Sequence, residues 1–385
     1  MKKLLIVHNK YQNIGGEDIA VVEEEKILSQ HFEVEAIYFE NEIKNIFQLI
    51  LSFLFSTNLK SNMILKNKIT EFNPDIIYVH NSWFTLSLGI FKIAKKMNIK
   101  LILKIHNFRY HCTKSHLAEN HLNFEDFCQG CGFSNDKKRF YNKYFDKSFI
   151  KSFFVNLYGK RYIKVIEDES IPLILLTEFH KKFMVEHKYR NNNIYVIPNY
   201  ISPNENKTYS KSKYIVYAGR ISKEKGVEEL LKSFLDSNLN DFKLKIIGDG
   251  PLLNTLTKNY QKENIEFLGK QNNSTVLDII SKSVAVISCT KLYEGQPTLL
   301  CEASAIGVPS IFPNTGGVLE FFYPNYELCF NQFDYQDLVN KLNKLNEQEL
   351  LNKIGNNSKE FYGKEFSKKE YIQKMIKLTN EIWKS

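Results

Sequence analysis

Residues 214–226 read Tyr-Ile-Val-Tyr-Ala-Gly-Arg-Ile-Ser-Lys-Glu-Lys-Gly. Tyr214–Gly219 is continuously apolar up to its glycine, which suits a parallel strand covered on both faces. The chain then turns, and two cations, Arg220 and Lys225, precede a helix start. Arginine presents a planar fork that can hold two phosphate oxygens, and lysine adds a compact second charge. A buried strand that ends in ligand-ready groups and runs into a helix is the building unit of an open α/β sheet.

Working outward, the same unit recurs. Leu4–His8, Val34–Phe39, Asp75–His80, Leu101–His106, Leu173–Thr177 and Ile194–Pro198 are expected strands of a first half. Lys243–Ile247, Ile265–Leu268, Val284–Ser288 and Val308–Phe312 join Tyr214–Gly219 in a second. The fold class is therefore α/β, with two doubly wound, Rossmann-like domains. The polar stretch Ser202–Ser212 marks the boundary. Expected domains are 1–204 and 205–365, with 366–385 as a last amphipathic helix that can pack back on the first domain. After about residue 332 the pattern is helical, and there is no internal repeat or low-complexity tract. Two such domains should face one another across a cleft at the carboxyl ends of their strands, where ligands bind.

The chain has 385 residues, 43% of them apolar and 25% charged, which excludes disordered, collagenous and coiled-coil classes. No apolar run approaches the ~20 residues of a transmembrane helix. Leu4–Val7 is too short for the apolar core of a signal peptide and reads as a strand. Six cysteines in a chain of this length make no disulfide framework, so a reducing, cytoplasmic compartment is expected. The net charge of +9 is uneven: residues 1–200 hold 28 basic and 21 acidic groups, leaving 24 and 22 for the rest. Residues 137–164 alone carry nine Lys/Arg, one acid (Asp146) and nine Phe/Tyr. A basic, aromatic half points to an anionic partner, either nucleic acid or a membrane surface.

Tyr293-Glu294-Gly295-Gln296-Pro297-Thr298-Leu299-Leu300-Cys301-Glu302 follows a buried strand and opens a helix. Pro297 suits its first turn, and the free amides from Gly295 to Leu300, with the helix dipole, suit an anion or a sugar hydroxyl. Alone, Glu294 and Glu302 would be a surface cap and a solvated helix residue. Thr315-Gly316-Gly317 then follows another strand as a turn whose amides can approach phosphate. Arg220, Lys225, the Gly295 helix and the Gly316 turn thus share one rim, a convergence that overrides the bland reading of each.

With these motifs in view, the second half resembles the nucleotide-sugar-binding domain of retaining family 4 glycosyltransferases of the GT-B fold. AGRISKEKG, IGDGPL, FLGK, the Glu294–Glu302 run and AIGVPSIFPNTGGVLE stand in that family's order and spacing. The resemblance implies that Arg220 and Lys225 neutralise a donor diphosphate and that Glu302 accepts the ribose hydroxyls. It further implies that Glu294 contacts the transferred sugar, and that the backbone from Gly295 through Gln296, Pro297, Thr298 and Leu299 completes the pocket, with donors at every position but Pro297. The first half resembles members that build bacterial surface polysaccharides, through the segment Tyr11–Asp18 with Gly15 and Gly16, the segment Asn73–Asn81, and Leu103–Arg109. Gly15 and Gly16 would allow a tight loop near the donor phosphate. His106 would touch the transferred sugar, although a histidine at a strand end is as often structural. Glu17 and Asn107 are candidates for the acceptor. Tyr200 stands where many relatives have glycine, and the base would be read by backbone near Gly269–Gln271.

The implied reaction is retaining transfer from a UDP- or GDP-linked sugar, with front-face attack and the donor phosphate taking the acceptor proton. Fixed cations and amides would replace a divalent metal, so no cofactor is required. The acceptor is expected to be a saccharide, lipid-linked, in capsule, O-antigen or related synthesis. Ile46–Leu59 is either a core helix or an interfacial one facing anionic lipid on the inner face of the membrane. Cys112, Cys128 and Cys131, with His111, His116 and His121 nearby, are candidates for a structural zinc site, although a second C-x2-C pair is missing. Gly248-x-Gly250 continues to Leu253 rather than a third glycine, which argues against NAD. Two other classes remain. A nucleic-acid-binding protein would leave the phosphate rim unexplained, and no binding module surrounds the basic stretch, so nucleic acid is not expected. A sugar-nucleotide sensor would keep Arg220, Lys225 and Glu302 without an acceptor site.

Overall fold

The computed structural model describes residues 1–11, 15–40, 52–112, 148–202 and 211–384. Outside them lie residues 12–14 of the Tyr11–Asp18 segment, residues 46–51 of Ile46–Leu59 and residues 137–147 of the basic stretch. Cys128, Cys131, His116, His121 and most of Ser202–Ser212 fall outside as well. The chain divides into two units, Met1–Tyr200 with Lys368–Ser385, and Ile201–Ser367.

In the first unit, strands β1 (Lys3–Lys10), β2 (Glu33–Glu40), β3 (Ile76–Val79), β4 (Lys100–Lys104), β5 (Leu173–Leu175) and β6 (Ile194–Val196) form one sheet. The order is β2-β1-β3-β4-β5-β6 and every pair is parallel. The described helices between them are α1 (Gly16–Leu28), α2 (Leu59–Phe72), α3 (Gly89–Lys96), α4 (Phe149–Glu167) and α5 (Glu178–Glu186). Side-chain caps start three of them: Asn58 accepts from Lys60 and Ser61 amides, Ser148 from that of Lys151, and Thr177 from that of His180.

In the second unit, β7 (Tyr214–Ala218), β8 (Lys243–Ile247), β9 (Ile265–Gly269), β10 (Ala285–Ile287), β11 (Ser310–Asn314) and β12 (Cys329–Asn331) run in the order β12-β11-β10-β7-β8-β9, again all parallel. Helices α6 (Val227–Leu235), α7 (Leu253–Asn259), α8 (Asn273–Ser281), α9 (Thr298–Ala305), α10 (Tyr335–Asn343) and α11 (Gln348–Glu365) complete the unit. All eleven expected strands are present. The twelfth, three-residue β12, was not among the expected strands: it is an edge strand too short to show periodicity.

Helix α12 (Lys368–Lys384) belongs to the first unit. Tyr371, Met375, Leu378 and Ile382 fall at helical spacing on one face and are buried with Leu4, Ile6, Val21, Ile76 and Tyr78. The units divide at 200/201 and 367/368, against the expected 204 and 365. Among the described residues no helix is long and apolar enough to cross a membrane.

In an open α/β sheet, ligands bind outside the carboxyl ends of the strands, where the strand order reverses direction. That point lies between β1 and β3 in the first unit and between β7 and β10 in the second. The loops after these four strands carry most of the candidate residues.

Candidate functional site

In the second unit, the chain leaves β7 through Gly219 and Arg220, forms a 3-10 turn at Lys223–Lys225, and enters α6 at Gly226. Gly226 has φ +65°, and a Cβ there would lie 2.0 Å from the Cys289 carbonyl, so glycine lets the loops after β7 and β10 touch. A second close approach joins the loops after β7 and β8. A Cβ on Gly248 would meet the Gly219 carbonyl at 1.9 Å, and the Ile221 amide donates to Asp249 O at 2.9 Å. IGDGPL is thus a buttress for the loop that carries Arg220.

Lys225 Nζ lies 2.5 Å from Glu294 Oε1, and Thr290 Oγ1 donates to the same oxygen at 3.0 Å. Both Lys225 and Glu294 are about one-third to one-quarter exposed, with side-chain values of 31% and 26%. Arg220 is exposed and makes no ion pair among the described residues. Its backbone is fixed instead: the buried Tyr217 hydroxyl donates to Arg220 O at 2.8 Å.

Pro297 is the cap of α9, so the helix starts at Thr298 and Glu302 stands one turn in. Gln296 is buried beneath the loop. Glu302 is half-buried, and burial raises its carboxyl to about 7, opposed by Asn273 Nδ2, which donates to Oε1 at 3.4 Å. The Thr315–Gly317 turn differs from expectation. Gly316 has φ +57° and its Cβ would fall 2.4 Å from Glu294 O, while the Gly317 amide donates to that carbonyl at 2.9 Å. The turn therefore props the Glu294 loop, and one amide expected for phosphate is already engaged.

In the first unit, the loop after β1 is organised by Asp18, a residue to which sequence reasoning gave no role. Its carboxylate contacts His8 Nε2 at 2.9 Å and accepts from the Gly15 amide at 2.8 Å and the Tyr11 amide at 3.2 Å. Gly15 is extended (φ −122°, ψ −179°) and Gly16 is the first residue of α1, so the pair makes no left-handed turn. Asp18 thus closes the junction between β1 and α1.

Glu17 accepts from the Tyr11 hydroxyl at 2.8 Å and from Asn107 Nδ2 at 3.4 Å. Burial raises its carboxyl, with Asp18 adding to the rise, while His8, Tyr11 and Arg109 oppose it. Arg109 stacks 5.3 Å from the Tyr11 ring and 5.4 Å from that of Trp83. His106 follows β4, and its Nε2 lies 3.0 Å from Nδ1 of His80, which follows β3. Glu17, Asn107 and His106 thus stand together at the carboxyl end of the first sheet. A cavity of about 1040 Å³ in the same unit is lined by Lys100, Leu101, Pro172 and Asn193, at the opposite ends of these strands. Cys112 is buried, and among the described residues no group of three or more His, Cys, Asp or Glu could hold a metal. The zinc question rests on residues outside the described ones.

Both units are Rossmann-like, the domain type from which the GT-B fold is built. Residues 201–361, which lie within the second unit, match the family described as glycosyl transferases group 1. Among curated relatives, an uncharacterized glycosyltransferase of Methanocaldococcus jannaschii is 26% identical over 58% of this chain and 63% of its own length. The UDP-Gal:alpha-D-GlcNAc-diphosphoundecaprenol alpha-1,3-galactosyltransferase of Escherichia coli is 29% identical over 34% of each chain. The chain thus spans between one-third and two-thirds of these relatives. Two solved structures match across the whole fold. Sucrose-phosphate synthase from Thermosynechococcus elongatus has a TM-score of 0.73 at 13% identity, covering 100% of this chain and 99% of that one. Anabaena HepE in complex with UDP and glucose has a TM-score of 0.66 at 14% identity, covering 99% and 100%.

Proposed function

We propose that this protein is a retaining glycosyltransferase. It moves a hexosyl or N-acetylhexosaminyl group from a UDP- or GDP-linked sugar to a lipid-linked saccharide in bacterial capsule, O-antigen or related polysaccharide synthesis. The observation that carries the reading is the cluster at the strand-order reversal of the second unit: Arg220, with no ion pair among the described residues, Lys225 on Glu294, and the start of α9.

In this reading Arg220 and Lys225 take the diphosphate, and amides from Gly295 to Leu299 extend that pocket. Glu302 accepts the ribose hydroxyls and Glu294 a hydroxyl of the transferred sugar. Cleavage of the glycosidic bond places negative charge on the leaving diphosphate, and two fixed cations with helix amides stabilise it without solvent reorganisation. No divalent metal is needed for that step. Gly15 and Gly16 border the donor phosphate, His106 contacts the sugar, and Glu17 with Asn107 orients the acceptor. The E. coli relative named for a diphosphoundecaprenol acceptor supports a lipid-linked acceptor. On α4, Ile150 and Phe153 are 71% and 42% exposed beside Lys151, which suits contact with an anionic membrane surface on the cytoplasmic side.

The test is a panel of UDP- and GDP-sugars, each assayed with chelator for binding and slow hydrolysis. One donor should bind and turn over with metal removed. A panel without any binder overturns the reading, and activity that needs a divalent ion overturns the metal-free step.

A further inference from the structure

The interior of the first unit holds a chain of ionisable groups apart from the cluster around Arg220, Lys225 and Glu294. Glu24 of α1 and Lys104 of β4 are fully buried and form an ion pair between Nζ and Oε1. The Tyr78 hydroxyl donates to the other oxygen, Oε2, at 3.1 Å. Lys104 Nζ also lies 5.7 Å from the ring centroid of Tyr371, which α12 brings into the same core. A buried ion pair costs desolvation that an apolar pair of similar shape avoids, so fold stability alone accounts poorly for it.

The pair is linked to the end of the sheet. Glu24 Oε2 lies 3.6 Å from Nε2 of His80, and Nδ1 of His80 lies 3.0 Å from Nε2 of His106. The two rings stack with centroids 5.3 Å apart. Burial holds both imidazoles well below their ordinary range, and Lys104 and His8 push in the same direction. The groups facing the pair are His8 of β1 with its partner Asp18 of α1, Glu24 of α1, Tyr78 of β3, Lys104 of β4, His180 of α5 and Tyr371 of α12.

Two neutral imidazoles that meet nitrogen to nitrogen share one proton, and either ring can supply it. Glu24 decides between them. Lys104 occupies Oε1, whereas Oε2 is turned toward His80 and at 3.6 Å acts on Nε2 by charge. A carboxylate there favours the proton on His80 Nε2, which leaves His80 Nδ1 bare to accept from His106 Nε2–H. His106 Nδ1 is then bare as well. That atom is enclosed and makes no hydrogen bond among the described residues.

We propose that Glu24 is a positioning residue: acting through His80, it fixes the proton of His106 on Nε2 and holds Nδ1 as the acceptor for a hydroxyl of the transferred sugar. This rests on the glycosyl-transfer reading above and narrows its donor class. The sugar must carry a hydroxyl at that position, and a deoxy or fluoro analogue leaves the nitrogen unpaired.

The experiment is nitrogen-15 NMR of the full chain with labelled histidine, His106 being assigned by His106→Gln. Wild type should show a protonated Nε2 and a bare Nδ1 for His106. Glu24→Gln leaves Lys104 buried without a counter-charge, so Glu24→Gln/Lys104→Met, which removes both charges, is measured beside it. The double variant should show a mixed or reversed His106 tautomer. Its kcat/KM with the natural donor should fall about tenfold, the worth of one hydrogen bond, while one monodeoxy donor of a panel is little affected. A proton on Nδ1 in the wild type overturns the proposal, as does an unchanged tautomer in the double variant, or an equal loss with every deoxy donor. A chain that transfers no sugar at all overturns the glycosyl-transfer reading, whereas the tautomer spectrum still decides the Glu24–His80–His106 linkage.

Discussion

Lys225 and Glu294 neutralise one another at 2.5 Å, so the cation assigned to the donor diphosphate is already held by the carboxylate assigned to the sugar. A diphosphate must share Lys225 with Glu294 or displace it. Glu294→Gln should therefore bind UDP about two- to fivefold more tightly, the worth of a partly exposed ion pair. The same variant should lose about 10²-fold in turnover through loss of sugar positioning. Lys225→Ala should weaken UDP binding. Calorimetry beside initial rates separates the two, and UDP binding weakened alike by both substitutions would mean that the pair does not compete with phosphate.

Arg220 has no ion pair among the described residues to release, and Tyr217 fixes its backbone rather than its guanidinium. Its loss should appear in binding and in turnover together. Arg220→Ala should reduce turnover by about 10²-fold or more. Arg220→Lys should recover only a minor share, because an ammonium cannot present two parallel donors to phosphate oxygens. Full recovery by lysine would show that charge alone is used there.

The strands were legible because each is a short run of apolar residues, and parallel strands buried on both faces need little else. β12 was not, since Cys329–Asn331 has one buried side chain, Phe330, and no period. The phosphate rim was legible for a related reason: strand ends set its position and charged residue types mark it. What the chain order hides is who already holds whom. The carbonyl contact of Gly317 and the cap made by Asp18 use backbone groups with no sequence signature. Glu24 and Lys104 sit 80 positions apart in unrelated elements, and only the packed sheet brings them together.

Glu302 gives a pH dependence. Its carboxyl is raised from 4.5 to about 7, so the folded chain holds a proton that the unfolded chain releases earlier. The associated stability is fully present below about pH 4.5 and is lost as pH rises through about 7. At 1.36 kcal/mol per pH unit this is at most about 3 kcal/mol, reduced by the partial exposure of the group. Glu302→Gln does not titrate there. The melting temperature of wild type relative to this variant should thus fall between pH 5 and pH 8, and parallel melting curves across that range would contradict the raised carboxyl.

Gly316 is the tightest backbone support of Glu294. Alanine would need φ +57°, costing about 1–2 kcal/mol, and its Cβ would lie 2.4 Å from Glu294 O. Gly316→Ala should lower turnover at least as far as Glu294→Gln does, while far-ultraviolet circular dichroism stays unchanged. A fully active Gly316→Ala enzyme would show that the loop holding Glu294 tolerates displacement.

The last helix gives a test of how the units hold together internally. Met375 is fully buried against a core built from residues 4–200, although the whole second unit, Ile201–Ser367, intervenes in the chain before α12 begins at Lys368. Met375→Ala leaves a cavity there and should cost about 2–5 kcal/mol. That cost should fall on the first unit, and a single unfolding free energy would blur it in a chain of two units. Hydrogen exchange resolves it: amides of β1, β3 and β4 should lose protection, and those of β7, β8 and β10 should keep theirs. Equal loss in both sheets would show that α12 stabilises the chain as a whole rather than the sheet it packs on.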